Sequence, residues 1–200
     1  MSVIIGCVRD GKVFLATDSQ RTWGNVVTHA ETAFGANVLR MPEGVLVGVA
    51  CNQAVKRGIA AHPDWFSDLK GEPLTKRHVM ERIVPELNRE TEELGEIDEC
   101  AKEQGRSLYN GTILLAQGDR LFCIDGDFSV QRVADYCLIG HGSEYAVPRM
   151  RGFYRKELSD GETVTLLGEA LSDAAVYSSQ SSAPFKLYDT ATNETANIGG

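Results

Sequence analysis

The sequence lacks the features that would place it in a membrane or on nucleic acid. No apolar run approaches the roughly 20 residues of a membrane-spanning helix, and the first residues have neither the basic start nor the apolar core of a secretory signal. Positive charge is scarce, since 20 Lys and Arg oppose 28 Asp and Glu for a net charge of −8. An acidic chain is poorly suited to a phosphate backbone. We therefore expect a cytoplasmic protein without membrane or nucleic-acid partners.

Cysteine motifs and cofactor motifs are missing as well. The five cysteines are odd in number and form no C-x-x-C pair, so the sequence predicts neither a disulfide framework nor a zinc site. Gly140-His141-Gly142 lacks the third glycine of a dinucleotide fingerprint, because Tyr145 occupies that position. No metal and no cofactor is predicted.

The sequence does contain enough apolar residues for one sizeable core. Hydrophobic residues make up 42% of the 200 positions, which suits a single domain. We assign that domain to residues 1–189 and expect Thr190–Gly200 to be a flexible tail.

The apolar pattern predicts an order of strands, two helices, strands, two helices and a last strand. Before the first helix it predicts four strands, at Val3–Val8, Lys12–Ala16, Val38–Met41 and Val45–Ala50, with a polar loop at Asp18–Asn25. Helical spacing follows at Asn52–Phe66 and Pro73–Leu94, then four strands between Thr112 and Ile139, helices around Glu144–Leu158 and Thr163–Tyr177, and a strand at Pro184–Tyr188. This order predicts an α+β fold, a four-layer αββα sandwich of two antiparallel sheets flanked by helices.

Ser2 is the first candidate for chemistry. A small residue after the initiator methionine favours methionine removal, which would leave a serine with its own free α-amine. The ordinary pKa of such an amine is about 7.7–8.0, so it can accept a hydroxyl proton near neutral pH.

Four motifs give the chain a resemblance to proteasome β-subunits and to the HslV-type peptidase of bacteria. They are Ala16-Thr17-Asp18-Ser19-Gln20-Arg21-Thr22-Trp23-Gly24, Gly48-Val49-Ala50-Cys51-Asn52, Gly140-His141-Gly142-Ser143-Glu144-Tyr145-Ala146, and Ser178-Ser179-Gln180-Ser181-Ser182-Ala183 followed by Leu187-Tyr188. The interval from Ser2 to Asp18 equals the family's interval without a gap. The resemblance extends from Ser2 to Tyr188.

The resemblance implies the N-terminal nucleophile hydrolase fold, with an active site at the mouth between the two sheets. It implies Ser2 as the nucleophile, Asp18 as a carboxylate of the site and the backbone N–H of Cys51 as an oxyanion donor. Ser181 matches a serine of the last motif. His141 stands where the family has serine, and Ser178 stands where it has aspartate.

One departure leaves two interpretations open. Active family members carry a lysine on the third strand, whereas Ala30–Met41 contains none, and the position falls on Phe34, Ala36 or Asn37. In the first interpretation the site is rebuilt: His141 serves as general base beside Ser2 and Asp18, since the ordinary pKa of a histidine, about 6.5, suits that role. In the second, catalysis is lost and His141 is an ordinary turn residue.

These observations favour one function and leave an alternative. The favoured function is that of a threonine/serine-type endopeptidase, which cleaves peptide bonds with Ser2 after Met1 removal. The alternative is a catalytically inactive subunit with a role in ring assembly or binding. Both imply a homo-oligomeric ring. For the enzyme, the resemblance implies peptide or unfolded-protein substrates and raises the question of an ATP-dependent unfoldase partner.

Overall fold

The computed structural model describes residues 2–23, 26–29, 36–104, 108–179, 181–192 and 194–199. These residues form two five-stranded antiparallel sheets and a separate two-stranded ribbon. The strands are β1 (Ile4–Arg9), β2 (Lys12–Asp18), β3 (Gln20–Trp23), β4 (Val26–His29), β5 (Val38–Arg40), β6 (Leu46–Cys51), β7 (Gly111–Gln117), β8 (Arg120–Ile124), β9 (Val130–Val133), β10 (Tyr136–Ile139), β11 (Phe185–Asp189) and β12 (Thr195–Ile198).

The two sheets differ in how the chain passes through them. The first has the order β10-β1-β2-β11-β12, so strands from the two ends and the middle of the chain lie side by side. The second, β5 to β9, is a simple meander in chain order. Because β1 lies between β2 and β10, the N-terminal residues enter the middle of the first sheet.

Helices cover the outer face of each sheet. They are α1 (Gln53–Ala61), α2 (Asp64–Ser67), α3 (Lys76–His78), α4 (Val84–Glu93), α5 (Glu99–Glu103), α6 (Ser143–Phe153) and α7 (Asp160–Tyr177). Asn52 caps α1, because Asn52 Oδ1 accepts the backbone N–H groups of Ala54 and Val55. Pro85 lies inside a continuous helical stretch, directly after a π-helical turn at Val79–Ile83, and this wider turn accommodates its ring and its missing N–H.

Three apolar layers hold this arrangement together. The layer between the sheets contains Ile4, Leu15, Leu46, Leu114 and Leu121, all fully buried. A second layer joins the β5–β9 sheet to α1 and α4, and a third joins the first sheet to α6 and α7. The inner strands β1, β2, β6, β7 and β8 are buried on both faces, which explains why they read as nearly continuous apolar runs. The αββα sandwich predicted from the sequence is confirmed.

Two local predictions are wrong. Part of the expected loop at Asp18–Asn25 forms β3, which pairs with β4 so that Gln20 lies opposite His29. Part of the expected tail at Thr190–Gly200 forms β12, which pairs with β11 and buries Ile198. In both places backbone hydrogen bonds to a neighbouring strand outweigh a polar local sequence. Among the residues that the model describes, no helix is both long and apolar enough to cross a membrane.

Candidate functional site

Two residues at the end of β2 hold the chain directly after Ser2. The Val3 N–H donates to Asp18 Oδ1 at 2.9 Å. The Val3 carbonyl accepts from Thr17 Oγ1, also at 2.9 Å. Ser2 itself is 7% exposed. β2 therefore fixes both polar backbone groups of Val3. The position of the preceding residue, Ser2, is constrained with them.

Asp18 is a buried carboxyl group with one unused oxygen. The residue is 1% exposed, and Oδ2 has no hydrogen-bond partner among the described residues. Burial raises the pKa of Asp18 to about 7, although the Val3 N–H opposes that rise. The group can therefore gain or lose a proton near neutral pH, as groups at functional sites often do.

A glycine turn between β10 and α6 lies against Ser2. Gly140 has a φ of +93°, and a Cβ at this position would overlap the Ser2 carbonyl oxygen and lie 3.3 Å from the Ala50 Cβ. A Cβ on Gly142 would lie 2.9 Å from Ser178 Oγ. Only glycine permits this backbone and this close approach. The turn thus brings together Ser2, the end of β6 and Ser178.

His141 lies on that turn, but its side chain is exposed. Within the part of the chain that the model describes, no hydrogen bond or ion pair is found for its imidazole, so none joins it to Ser2 or Asp18. The backbone on either side of His141 packs into the site while the imidazole faces outward. Its role as a base stays a prediction.

Cys51 ends β6 and is directly followed by Asn52, the cap of α1. Burial raises the pKa of the Cys51 thiol to about 12, so the thiol stays protonated at neutral pH and does not act as a nucleophile. The thiol is also occupied, because Sγ donates to the Asn52 carbonyl at 3.3 Å. What Cys51 offers to chemistry is its backbone N–H.

Ser181 is the second buried group at the site with an unused oxygen. It is 2% exposed, and its Oγ has no partner among the described residues. Its N–H donates to the Ser178 carbonyl at 3.3 Å. Gln20 Nε2, on β3, donates to the Ser179 carbonyl at 2.8 Å. Ser179 and Ser181 are thus each held by a hydrogen bond.

Sequence reasoning missed a buried lysine beside the site. Lys56, on α1, is 2% exposed, and its Nζ donates to Asn37 Oδ1 at 3.0 Å and to the Ala36 carbonyl at 3.2 Å. Asn37 Nδ2 in turn donates to the Asp18 carbonyl at 2.8 Å. The apolar pattern of α1 gave no clear signal, because exposed Arg57 lies between Val55 and Ile59 just as Lys56 does.

Of the three positions considered for the missing lysine, Asn37 is the one that reaches Asp18. Ala36 offers only its carbonyl to Lys56. Phe34 lies outside the described residues, as does Met1.

A cleft of about 500 Å³ opens on the far side of Gly140. Its lining comes from β7 to β10 and includes Thr112, Asp125, Arg132, Tyr136 and Gly140. This volume is typical of small-ligand sites. Three or more metal-binding side chains do not converge anywhere in the portion of the chain that the model describes.

Comparison with known proteins gives one family match and several structural neighbours. The model of the proteasome subunit family matches residues 100–188. BPH of Thiobacillus denitrificans is 21% identical over 94% of this chain and 96% of its own, with a TM-score of 0.71. BPH in complex with epoxomicin is 19% identical over 99% of this chain and 100% of its own, again with a TM-score of 0.71.

A third neighbour is the Anbu (Gly-1) mutant from Hyphomicrobium sp. strain MC1. It is 15% identical over 100% of this chain and 88% of its own, with a TM-score of 0.74. No curated protein sequence matches this chain. At these identities the structural neighbours establish a shared fold.

Proposed function

Because this chain has the proteasome-like N-terminal nucleophile hydrolase fold, and residues 100–188 match the proteasome subunit family, we propose that it is a peptidase with Ser2 as nucleophile. The observation that carries the proposal is the pair of hydrogen bonds that fixes Val3 to the end of β2. They hold Ser2 beside a buried carboxyl group and against the Gly140 turn. Such pre-set geometry is what an attacking group requires.

The proposed reaction uses the α-amine of Ser2, freed by removal of Met1, as the base. The amine takes the hydroxyl proton while Ser2 Oγ bonds to the carbonyl carbon of the peptide. The resulting oxyanion is stabilised by the Cys51 N–H. The protonated amine then returns its proton to the leaving nitrogen as the C–N bond breaks. Water hydrolyses the remaining ester and restores Ser2.

The buried groups around Ser2 have supporting roles in this proposal. The unused oxygens of Asp18 and Ser181 provide hydrogen-bond capacity for the α-amine or its proton. The cleft beside Gly140 provides room for part of a peptide. His141 is the alternative base, and His141→Ala separates the two assignments, because loss of activity in that variant would move the base to the imidazole.

The test is labelling by a peptide electrophile. Epoxomicin is the appropriate probe, since BPH of the same fold has been solved in complex with it. We expect purified protein that has lost Met1 to gain the mass of one epoxomicin, and we expect Ser2→Ala to gain none. Ser67→Ala, an identical change at an exposed position at the end of α2, should be labelled like the unmodified chain. Full labelling of Ser2→Ala would contradict the proposal.

Two observations favour the alternative, a subunit without catalysis. His141 is exposed. Asn37, one of the positions considered for the family's lysine, contacts the end of β2 and carries no charge. That alternative predicts a folded protein in which no mass is gained at any epoxomicin concentration. The same labelling experiment therefore decides between the two functions.

Assembly forms part of the proposal. We propose that copies of the chain form a homo-oligomeric ring and that the ring acts on peptides or unfolded protein, with an ATP-dependent unfoldase as the partner that would deliver folded substrates. The fold shared with BPH and Anbu supports this part.

A further inference from the structure

Lys56 is a cation placed where a cation is costly. Its side chain extends from α1 into the protein and is almost completely buried. Moving an ammonium group out of water is strongly unfavourable unless hydrogen bonds replace its hydration. Here the Ala36 carbonyl and Asn37 Oδ1 are among the groups that replace it. Arg57, the next residue of α1, is exposed, so of these two adjacent cations only Lys56 is buried.

The ammonium group determines which way the Asn37 amide faces. An ammonium group only donates hydrogen bonds, so the oxygen of the Asn37 amide must face Lys56. The Nδ2 group of Asn37 must then face the end of β2. There it donates to the Asp18 carbonyl at 2.8 Å and to Thr17 Oγ1 at 3.4 Å. A reversed amide would put oxygen against oxygen on that side.

From Asn37 the hydrogen bonds continue to the residue after Ser2. Thr17 Oγ1 accepts from Asn37 and donates to the Val3 carbonyl. Asp18, whose carbonyl is held by Asn37, accepts the Val3 N–H through its carboxyl group. The network that begins at Lys56 thus ends on both polar backbone groups of Val3.

We propose that Lys56, acting through Asn37, is a positioning residue that sets the place of Ser2 for attack. This inference rests on the proposed function. The assignment to Lys56 comes from the hydrogen bonds of this chain, since the sequence motifs pointed to no residue of α1. In this account Lys56 does not touch the substrate, and its effect on Ser2 passes through the amide of Asn37.

The test is the rate of epoxomicin labelling in Lys56→Met, resolved into the inhibitor affinity KI and the rate of bond formation kinact. Methionine has nearly the length of lysine, but it leaves Asn37 Oδ1 and the Ala36 carbonyl without this donor, so the melting temperature should fall. At a temperature where the variant is still folded, we expect kinact to fall about ten- to a hundredfold, as for a misplaced reacting group, with KI unchanged. Arg57→Met, which removes the same charge one residue away, should keep both constants.

Asn37→Leu supplies a second, independent readout. It removes the amide through which Lys56 acts, so kinact should fall by a similar factor. The double variant with Lys56→Met should be no slower than the slower single variant, because the two residues act in series. Multiplying effects would contradict the inference. If Lys56→Met fails to fold, Asn37→Leu decides, and labelling of Asn37→Leu at the unmodified rate overturns the proposal.

Failure of the inference differs from failure of the proposed function. If the unmodified protein takes up no epoxomicin, the proposed function is wrong and the inference falls with it. If the unmodified protein and Lys56→Met are labelled with the same kinact, the proposed function stands and only the role of Lys56 is wrong.

Discussion

At the scale of single residues, Asp18 is a site residue whose buried carboxyl group has an unusually high pKa. The carboxyl group uses one oxygen on the Val3 N–H and leaves the other without a partner among the described residues. Burial favours the neutral form of a carboxyl group when only one of its two oxygens accepts a hydrogen bond. Its protonation state should therefore be visible in the stability of the whole protein.

We predict that Asp18 makes the folded state less stable as pH rises. Its folded-state pKa of about 7 lies above the ordinary 3.8, so between these values the folded chain holds a proton that the unfolded chain has released. The free energy of unfolding should fall from about pH 4 to about pH 7, by an amount on the order of a few kcal/mol, and then level off.

Urea unfolding of the unmodified protein and of Asp18→Asn, at pH 5 and pH 8, measures this effect. The variant keeps an oxygen for the Val3 N–H but cannot ionise, so it should gain stability relative to the unmodified protein at pH 8. Asp119→Asn, at an exposed turn, is the control. Equal pH dependence in the unmodified protein and Asp18→Asn would contradict the raised pKa.

The residues of the site could be predicted only in part. Ser2 and Asp18 could be paired through the resemblance, because their interval equals that of the proteasome family, and the β1–β2 hairpin places both residues at the same end of the sheet. Lys56 could not, because its contact with Asn37 joins α1 to the start of β5 across a segment whose geometry no local pattern encodes. The exposure of the His141 side chain could not be predicted either, since a turn motif specifies the backbone conformation and not the direction of one side chain.

At the scale of elements, the predictions succeeded where burial governs the pattern. The four strands predicted between Thr112 and Ile139 are confirmed as β7 to β10, and α7 starts only three residues before its predicted beginning. β3 and β12 were missed, because their pairing partners hold them and their own sequences are largely polar. When a strand is stabilised mainly by hydrogen bonds to its neighbour, its own sequence shows no apolar pattern from which the strand could be predicted.

Two helix caps allow a matched prediction. Asn52 caps α1 beside Cys51, and Ser159 caps α7 through a reciprocal capping box with Glu162. Replacing either by alanine should cost about 1 kcal/mol of stability. Only Asn52→Ala should also slow epoxomicin labelling, because it loosens the turn that carries the Cys51 N–H. Thermal melts and labelling rates of the two variants test this. Equal labelling rates would contradict the role of the Cys51 N–H as oxyanion donor.

At the scale of the whole molecule, the sandwich explains why distant parts of the chain meet at Ser2. The first sheet places β1 between strands from the beginning and the middle of the sequence, and the Gly140 turn directly follows β10. The order of strands and helices was enough to predict the layers, because three separate apolar faces have to be covered. It was not enough to predict how tightly the turn packs on Ser2, which depends on a backbone with positive φ.

The proposed ring gives a prediction at this scale. Sedimentation equilibrium should yield a mass that is a multiple of the 21.8 kDa chain, at protein concentrations where the labelling rate is constant. Ser2→Ala should assemble like the unmodified protein, because Ser2 is buried inside the fold. A mass of one chain at all concentrations would contradict both the peptidase ring and the inactive ring.

The central claim is that Ser2 is an N-terminal nucleophile, and the site of modification tests it most directly. The measurement is peptide mapping by mass spectrometry of the epoxomicin-treated protein. The account predicts a single adduct on the first peptide, which starts at Ser2 without Met1. A chain that keeps Met1 and carries no adduct, or an adduct on any other residue such as His141, would contradict it.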